Sequence, residues 1–247
     1  MKLFVGRGAL TDGADHDRIF GFELSSPFDV STCSFSDNQT SGLDSDALQN
    51  GSNAGDITAL GDDKVTLQGF DISKDGTKLF AIFHSRLGVP PNDPGSQNTR
   101  LLEYTMSTPF DLTTISLVTS GGIELEDETQ NPNGLVFSPD GTRLWTLDHQ
   151  NNSADVTQIS LNVAYSTSSF TIDGTVDIED LNGIDSFDEP RGIAFSTSGL
   201  KMYVGTDQNN PEDDGGEHMN EIDLVCPFNI VSSASCKSYT SKGRTGV

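Results

Sequence analysis

The chain repeats itself. An internal repeat of this length constrains the fold more than composition does, because each unit must bury its apolar face against the next. The fullest copy is Pro132–Asp148, PNGLVFSPDGTRLWTLD. It reads as a strand from Gly134 to Ser138, a turn over Pro139-Asp140-Gly141-Thr142 and a second strand from Arg143 to Leu147. Pro presets φ, Asp hydrogen-bonds the local backbone and Gly accepts positive φ, so the turn is specified by chemistry. Pro190–Asp207 and Leu67–Phe83 repeat the pattern, the latter with Ile72 where Phe137 and Phe195 stand. Met1–Val5 matches the second strand alone.

A second block follows each copy. Arg18–Phe35, Arg100–Leu117 and Met219–Cys236 share a strand, a Pro-Phe loop at Pro27, Pro109 and Pro227, and a further strand. Val156–Phe170 is the weakest copy and has lost Pro-Phe-Asp. The unit is therefore strand, turn, strand, long loop, strand, loop, strand. Four antiparallel strands per repeat, set radially, build the blades of a β-propeller. The expectation is an all-β propeller in a single domain, 1–247, with four visible blades: about 1–36, 66–120, 131–177 and 189–241. The first blade lacks its inner strand, and the tail from Lys242 to Val247 gives no strand signal. A missing inner strand leaves an open sheet edge. The tail, another subunit or further chain could fill it.

Length suits one β domain, and no apolar run approaches the roughly 18 residues of a membrane span. The opening Met-Lys-Leu-Phe-Val aligns with strands of the other repeats, so it reads as structure rather than as a leader; no signal peptide is visible. Net charge is −23. Such a surface repels nucleic acid and anionic membranes, which argues against both as partners and against membrane insertion. Abundant Asp and scarce Lys fit an extracellular, virion-associated or saline setting. Most of the 37 acidic residues fall in the loops after second strands and between repeats. The plain reading of such runs is solvation.

Acidic loops also suit calcium, which takes six to eight oxygen ligands. Asp207, Asn209, Glu212, Asp213 and Asp214 form the richest set, and Asp12, Asp15 and Asp17 the second. Neither has EF-hand spacing. His84 and His149 stand at equivalent ends of second strands, with Asp207 matching them in the last repeat. Cys226 and Cys236 flank one loop and could form a disulfide, as readily as remain thiols. No nucleophile elbow or phosphate-binding loop is present, and the four histidines are scattered.

The paired motifs, best seen in Phe137-Ser138 with Asp140-Gly141-Thr142-Arg143-Leu144-Trp145 and in Ser107-Thr108-Pro109-Phe110-Asp111, resemble a β-propeller repeat. Such repeats occur in extracellular proteins of aquatic bacteria and in phage tail or adhesion proteins. More distantly the chain is similar to lactonase-like and NHL-type propellers. Sugar-lactone-hydrolysing propellers place metal ligands near the starts of inner strands, and that resemblance points to Gln68, Asn133 and Arg191. A cation among three such positions is a poor set for a divalent ion.

The leading expectation is a non-enzymatic binding or structural module of an extracellular or virion surface, holding a protein or glycan partner through acidic loops. One alternative is a metal-dependent lactonase-like hydrolase. Another is a subunit of a homo-oligomer or larger assembly, completed by a neighbour's strand.

Overall fold

The computed structural model describes residues 1–7, 18–35, 43–44, 65–85, 98–118, 123–125, 132–150, 153–178, 188–208, 218–231 and 240–246. All strand pairing among them is antiparallel, in four sheets. Helix among the described residues is limited to 3-10 turns of three residues. The fold is all-β, as the repeat requires. The chain divides into two compact units, Met1–Glu124 and Leu125–Val247.

The first unit holds two sheets. In the first sheet β1 (Lys2–Arg7), β2 (Arg18–Leu24) and β3 (Cys33–Phe35) lie in order, and β4 (Leu43–Asp44) also pairs with β2. In the second sheet β5 (Val65–Ile72), β6 (Lys78–Ser85), β7 (Asn98–Met106) and β8 (Ile115–Leu117) lie in order, and β9 (Ile123–Glu124) pairs with β7. The second unit holds two four-stranded sheets. The third sheet is β10 (Pro132–Phe137), β11 (Arg143–Gln150), β12 (Ser153–Leu161) and β13 (Phe170–Asp177). The fourth is β14 (Asp188–Phe195), β15 (Lys201–Gln208), β16 (His218–Asp223) and β17 (Thr240–Gly246). The tail is thus a strand, contrary to the sequence expectation: it pairs with β16, Thr240 opposite Asp223. Backbone pairing with a neighbour overrides a Gly-rich segment's poor intrinsic preference.

The two motifs form one device. In the β5–β6 turn the Asp75 carboxylate accepts hydrogen bonds from the Ser73 hydroxyl at 2.7 Å, the Thr77 N–H at 3.0 Å and the Thr77 hydroxyl at 2.8 Å. Asp140 repeats this with Ser138 and Thr142. The next residue, Gly76 or Gly141, stands at φ +72° or +70°. Each of these glycines lies beneath an aromatic ring from the later loop of its own sheet. A Cβ on Gly76 would come within 2.3 Å of the Phe110 ring, and one on Gly141 within 2.2 Å of Tyr165. Gly199 and Phe228 repeat the pair in the fourth sheet. The ring-bearing residue is itself left-handed, φ +53° to +59° in these three, and its N–H donates to the glycine carbonyl at 2.8 Å each time. Positive φ at an aromatic residue costs on the order of 1–3 kcal/mol. Ring packing and the hydrogen bond offset it. Tyr165 shows that the loop survives in the third sheet without Pro-Phe-Asp.

Cores form between paired sheets within each unit. In the first, Leu79, Ala81 and Phe83 of β6 pack with Leu102 and Tyr104 of β7 and Ile19 of β2. In the second, Trp145 and Leu147 of β11 meet Met202 and Val204 of β15 and Ile222 of β16. Trp145 is fully buried, its ring 4.2 Å from Phe195 and 6.1 Å from Phe228. Arg143 donates to the Phe228 carbonyl at 2.7 Å, tying the third sheet to the fourth. Cys226 is disulfide-bonded, and Cys33 is free and exposed. Cys236, the expected partner of Cys226, lies outside the described residues.

Candidate active site

Sequence reasoning singled out Gln68, Asn133 and Arg191, and the backbone gives the three a common character. The register of β5 on β6 jumps from Leu67↔Phe83 to Gly69↔Ile82, leaving Gln68 as the extra residue of a bulge. The register of β10 on β11 jumps from Pro132↔Asp148 to Gly134↔Leu147, leaving Asn133. That of β14 on β15 jumps from Pro190↔Thr206 to Gly192↔Gly205, leaving Arg191. β5, β10 and β14 therefore each carry one bulge, one residue before a glycine. A bulge releases a residue from the ladder and re-aims its side chain, and bulges gather next to active sites. The glycine that follows relieves crowding, and a proline fits just before the bulge of an edge strand.

In the second unit two such bulges lie side by side. A Cβ on Gly134 would stand 3.7 Å from the Gly192 Cα and 3.4 Å from the Ile193 Cγ2, so β10 and β14 approach closely where their bulges fall. Around them are polar groups that the chain buries. Asp148, directly across from Pro132, is 2% exposed. Thr206, directly across from Pro190, is buried and accepts from the Asn220 amide at 3.4 Å. Arg191 is exposed and Asn133 half-buried. Among the described residues no atom lies within 4 Å of a Cβ built on Gly192, and its φ is not of the kind that demands glycine. Space is left there.

The close approach of Gly134 and Gly192 thus brings the bulges that carry Asn133 and Arg191 together, while the Asp148 carboxylate is buried across from Pro132 on the face of β11 opposite Trp145 and Leu147. A carboxylate can hold or take a proton, and amide and guanidinium N–H groups can meet a developing oxyanion or a substrate anion. As a metal site the set does not fit. In the second unit the bulge positions supply one amide and a permanent cation, and Arg has no lone pair to give. Asp148 entered the sequence reading only as one acidic residue among many. Thr206 and Asn220 gave no signal at all. Strand register was needed to find them.

The other expected sites separate. His84 is buried in β6, with its Nδ1 3.2 Å from the Thr99 hydroxyl. The His149 and Asp207 backbones pair with Ala154 and Glu189, and their side chains lie outside the described residues. Asp12, Asp15, Asp17, Asn209, Glu212, Asp213 and Asp214 also lie outside them. Among the described residues no group of three or more His, Cys, Asp or Glu side chains could hold a metal ion. Nor is any helix among them long and apolar enough to cross a membrane.

No family model and no curated protein matches the chain, so the repeat family suggested by its motifs has no support at that level. Among solved structures it is similar to a "putative 6-phosphogluconolactonase" from Bacteroides uniformis, with 17% identity and a TM-score of 0.44, over 92% of this chain and 52% of that one. The chain spans about half the length of that structure. The expectation of a non-enzymatic surface module finds no support in these comparisons, and the description printed for that structure is of a lactonase, the class of the alternative expectation.

Proposed function

We propose that the four sheets are blades of a β-propeller and that the chain is a lactonase-like hydrolase acting on the cyclic ester of a sugar acid. The observation that carries this reading is the close approach of the β10 and β14 bulges, which release Asn133 and Arg191 from their ladders at the end of β11 where Asp148 is buried. The third and fourth sheets, each of four antiparallel strands in chain order with a tight turn between the first two, support the blade arrangement.

The step needs no cofactor. The Asp148 carboxylate accepts a proton from water as its oxygen bonds to the lactone carbonyl carbon. The carbonyl electron pair moves onto oxygen, where the Arg191 guanidinium and the Asn133 amide stabilise it. On collapse the ring C–O bond breaks, and the departing alkoxide takes the proton from the Asp148 carboxyl. The product is the open hydroxy acid. General-base catalysis contributes about 10²–10⁴-fold. Polyhydroxylated substrates suit the neighbouring Thr206 and Asn220, and an acidic substrate suits Arg191 on an otherwise acidic chain.

The test is hydrolysis of δ- and γ-lactones of sugar acids, followed by proton release. Asp148→Asn is expected to lower kcat by about 100-fold or more. Arg191→Gln is expected to raise KM chiefly for anionic lactones. Lactone turnover absent from the folded wild-type chain, or undiminished in Asp148→Asn, overturns the reading.

A further inference from the structure

In the second, third and fourth sheets a row of directly paired residues starts just before the bulge and crosses the sheet. The second sheet reads Leu67, Phe83, Arg100, Glu124, and the fourth reads Pro190, Thr206, His218, Gly246. At the matching place the first sheet sets Arg18 between Arg7 and Asp44. The third sheet reads Pro132, Asp148, Asp155, Asp177. Where the first and second sheets pair an arginine with an outer acid, the third pairs three acids in succession.

Register fixes how these side chains stand. Residues directly opposite on antiparallel strands share a face, with Cβ atoms about 4.5–5.5 Å apart. The neighbouring row of that face shows it, for the Thr157 and Thr175 hydroxyls are 2.9 Å apart. Asp148 is buried, whereas Asp155 and Asp177 are half-buried. Like charges directly opposite destabilise a sheet, and an arginine in the middle place removes that cost. Natural chains break such local rules mainly at functional positions.

We propose that Asp155 is a positioning residue for Asp148: its carboxylate, directly opposite on the next strand, tightens proton binding by the Asp148 carboxylate and makes it the stronger base. A nearby like charge disfavours the ionised form of a buried carboxylate, and a general base works best when its proton affinity suits the working pH. The groups around Asp148 on its own face leave this task to Asp155. Pro132 of β10, Thr146 of β11 and Thr157 of β12 carry no charge. Asp177 of β13 adds repulsion from one strand farther away. On β14, Arg191 works in the opposite sense and Glu189, across from Asp207, in the same sense. The inference takes its purpose from the proposed hydrolysis, and its test stands without it.

The experiment follows the Asp carboxyl carbons of the full chain by NMR as pH is varied. The Asp148 signal is the one lost in Asp148→Asn. Its proton affinity should fall roughly tenfold or more in Asp155→Asn, and less in Asp177→Asn. In lactone hydrolysis the acid limb of kcat/KM should move to lower pH with Asp155→Asn by the same factor. Asp155→Arg restores the residue type of Arg18 and Arg100, and should raise Tm by about 1–3 °C. The same variant should lower kcat/KM at least tenfold, or about 10-fold at the smallest. An Asp148 titration that ignores Asp155→Asn overturns the inference, whatever the lactone assay shows, and leaves Asp155 a structural residue. A coupled titration in a chain that turns over no lactone supports the pairing and overturns the hydrolytic reading instead.

Discussion

The first and third sheets have nearly the same strand pattern and very different interiors. Phe4 and Trp145 hold equivalent places, each on a second strand and each facing the aromatic of a loop in the neighbouring sheet. Phe4 lies 6.5 Å from Phe110, and Trp145 lies 6.1 Å from Phe228. Yet Trp145 is fully buried and Phe4 is only half-buried. Among the described residues, β11 is paired on both edges, by β10 and β12, whereas β1 is paired by β2 alone. β10 covers β11 with Val136, directly across from Trp145, and Phe195 of the fourth sheet closes on the indole at 4.2 Å. The indole N–H is also satisfied, donating to Gln158 at 3.3 Å, and Gln158 in turn accepts from the Ile230 N–H at 3.0 Å. A second strand becomes core only when both of its edges are paired.

The largest test of that comparison is truncation at the two equivalent positions. Trp145→Ala should cost about 3–5 kcal/mol, the range for deleting a buried large aromatic. It also leaves Gln158 without one of its donors. Phe4→Ala should cost about 1 kcal/mol, because much of that ring already meets water. Denaturant melts of the two variants measure the difference. Equal losses would mean that pairing on the second edge of β11 does not account for the burial of Trp145.

The turn glycines give a second, smaller contrast. Gly141→Ala forces a Cβ into the Tyr165 ring at a positive φ, and should cost about 2 kcal/mol from strain and displaced packing together. At Phe28 the same loop conformation has no described glycine beneath it. Phe28→Gly should therefore stabilise the chain by about 0.5–1 kcal/mol, since strain is removed and little packing is lost. Phe110→Gly, with the same backbone and a ring seated on Gly76, should destabilise. A destabilised Phe28→Gly would show that the exposed ring has a partner after all.

These contrasts also mark how far the sequence could be read. The repeat was legible because its turns are written in residues with few other uses, Ser-x-Asp-Gly-Thr in the second and third copies and Pro-Phe-Asp in the first and second. The start of the second strand at Arg143 was legible, but its end was not: the sequence reading stops at Leu147 and the strand continues to Gln150, where β12 pairs with it. The strand at Thr240–Gly246 was not legible, since Ser, Lys and Gly have no strand preference and β16 supplies the template. Asp148 could not be told from solvated acidic residues, because its burial depends on β10 lying across it. Gln68, Asn133 and Arg191 were visible as a column, but their bulges were not. A bulge is a property of pairing and has no composition.

Acid should separate the sheets by their turns. Hydroxyl hydrogen bonds from Ser73 and Ser138, with the N–H groups of Thr77 and Thr142, hold the Asp75 and Asp140 carboxyls below the ordinary carboxylate value. A carboxyl depressed in the folded state gives stability that is present above its unfolded pKa near 3.8 and lost as pH falls through the lower folded value. The fourth sheet has Ser198 at that place, whose hydroxyl does not titrate in this range. Asp75→Ser and Asp140→Ser should each cost about 1 kcal/mol at neutral pH and flatten the loss of stability below pH about 4. Hydrogen exchange at low pH should then open the second and third sheets less steeply than in the wild type. An unchanged acid limb would place the acid-sensitive carboxylates elsewhere.

The smallest effect concerns one atom in the second sheet. Tyr104 faces Leu79 across β7 and β6, the place taken by Ile159 in the third sheet and Ile222 in the fourth. Its side chain is 2% exposed, and its hydroxyl has no hydrogen-bond partner among the described residues. Burial alone pushes the phenol above its ordinary pKa. A buried hydroxyl without a partner costs about 1–3 kcal/mol of desolvation, and removing it leaves the ring packing intact. Tyr104→Phe should therefore stabilise the chain by about 0.5–1 kcal/mol, bringing this position to the apolar character of its two counterparts. A thermal melt and the absorbance of the phenol under alkali measure it together. Destabilisation by Tyr104→Phe would show that the hydroxyl is held by a group beyond the described residues, and the second sheet would then differ from its neighbours by design of its loops rather than by an unmatched atom.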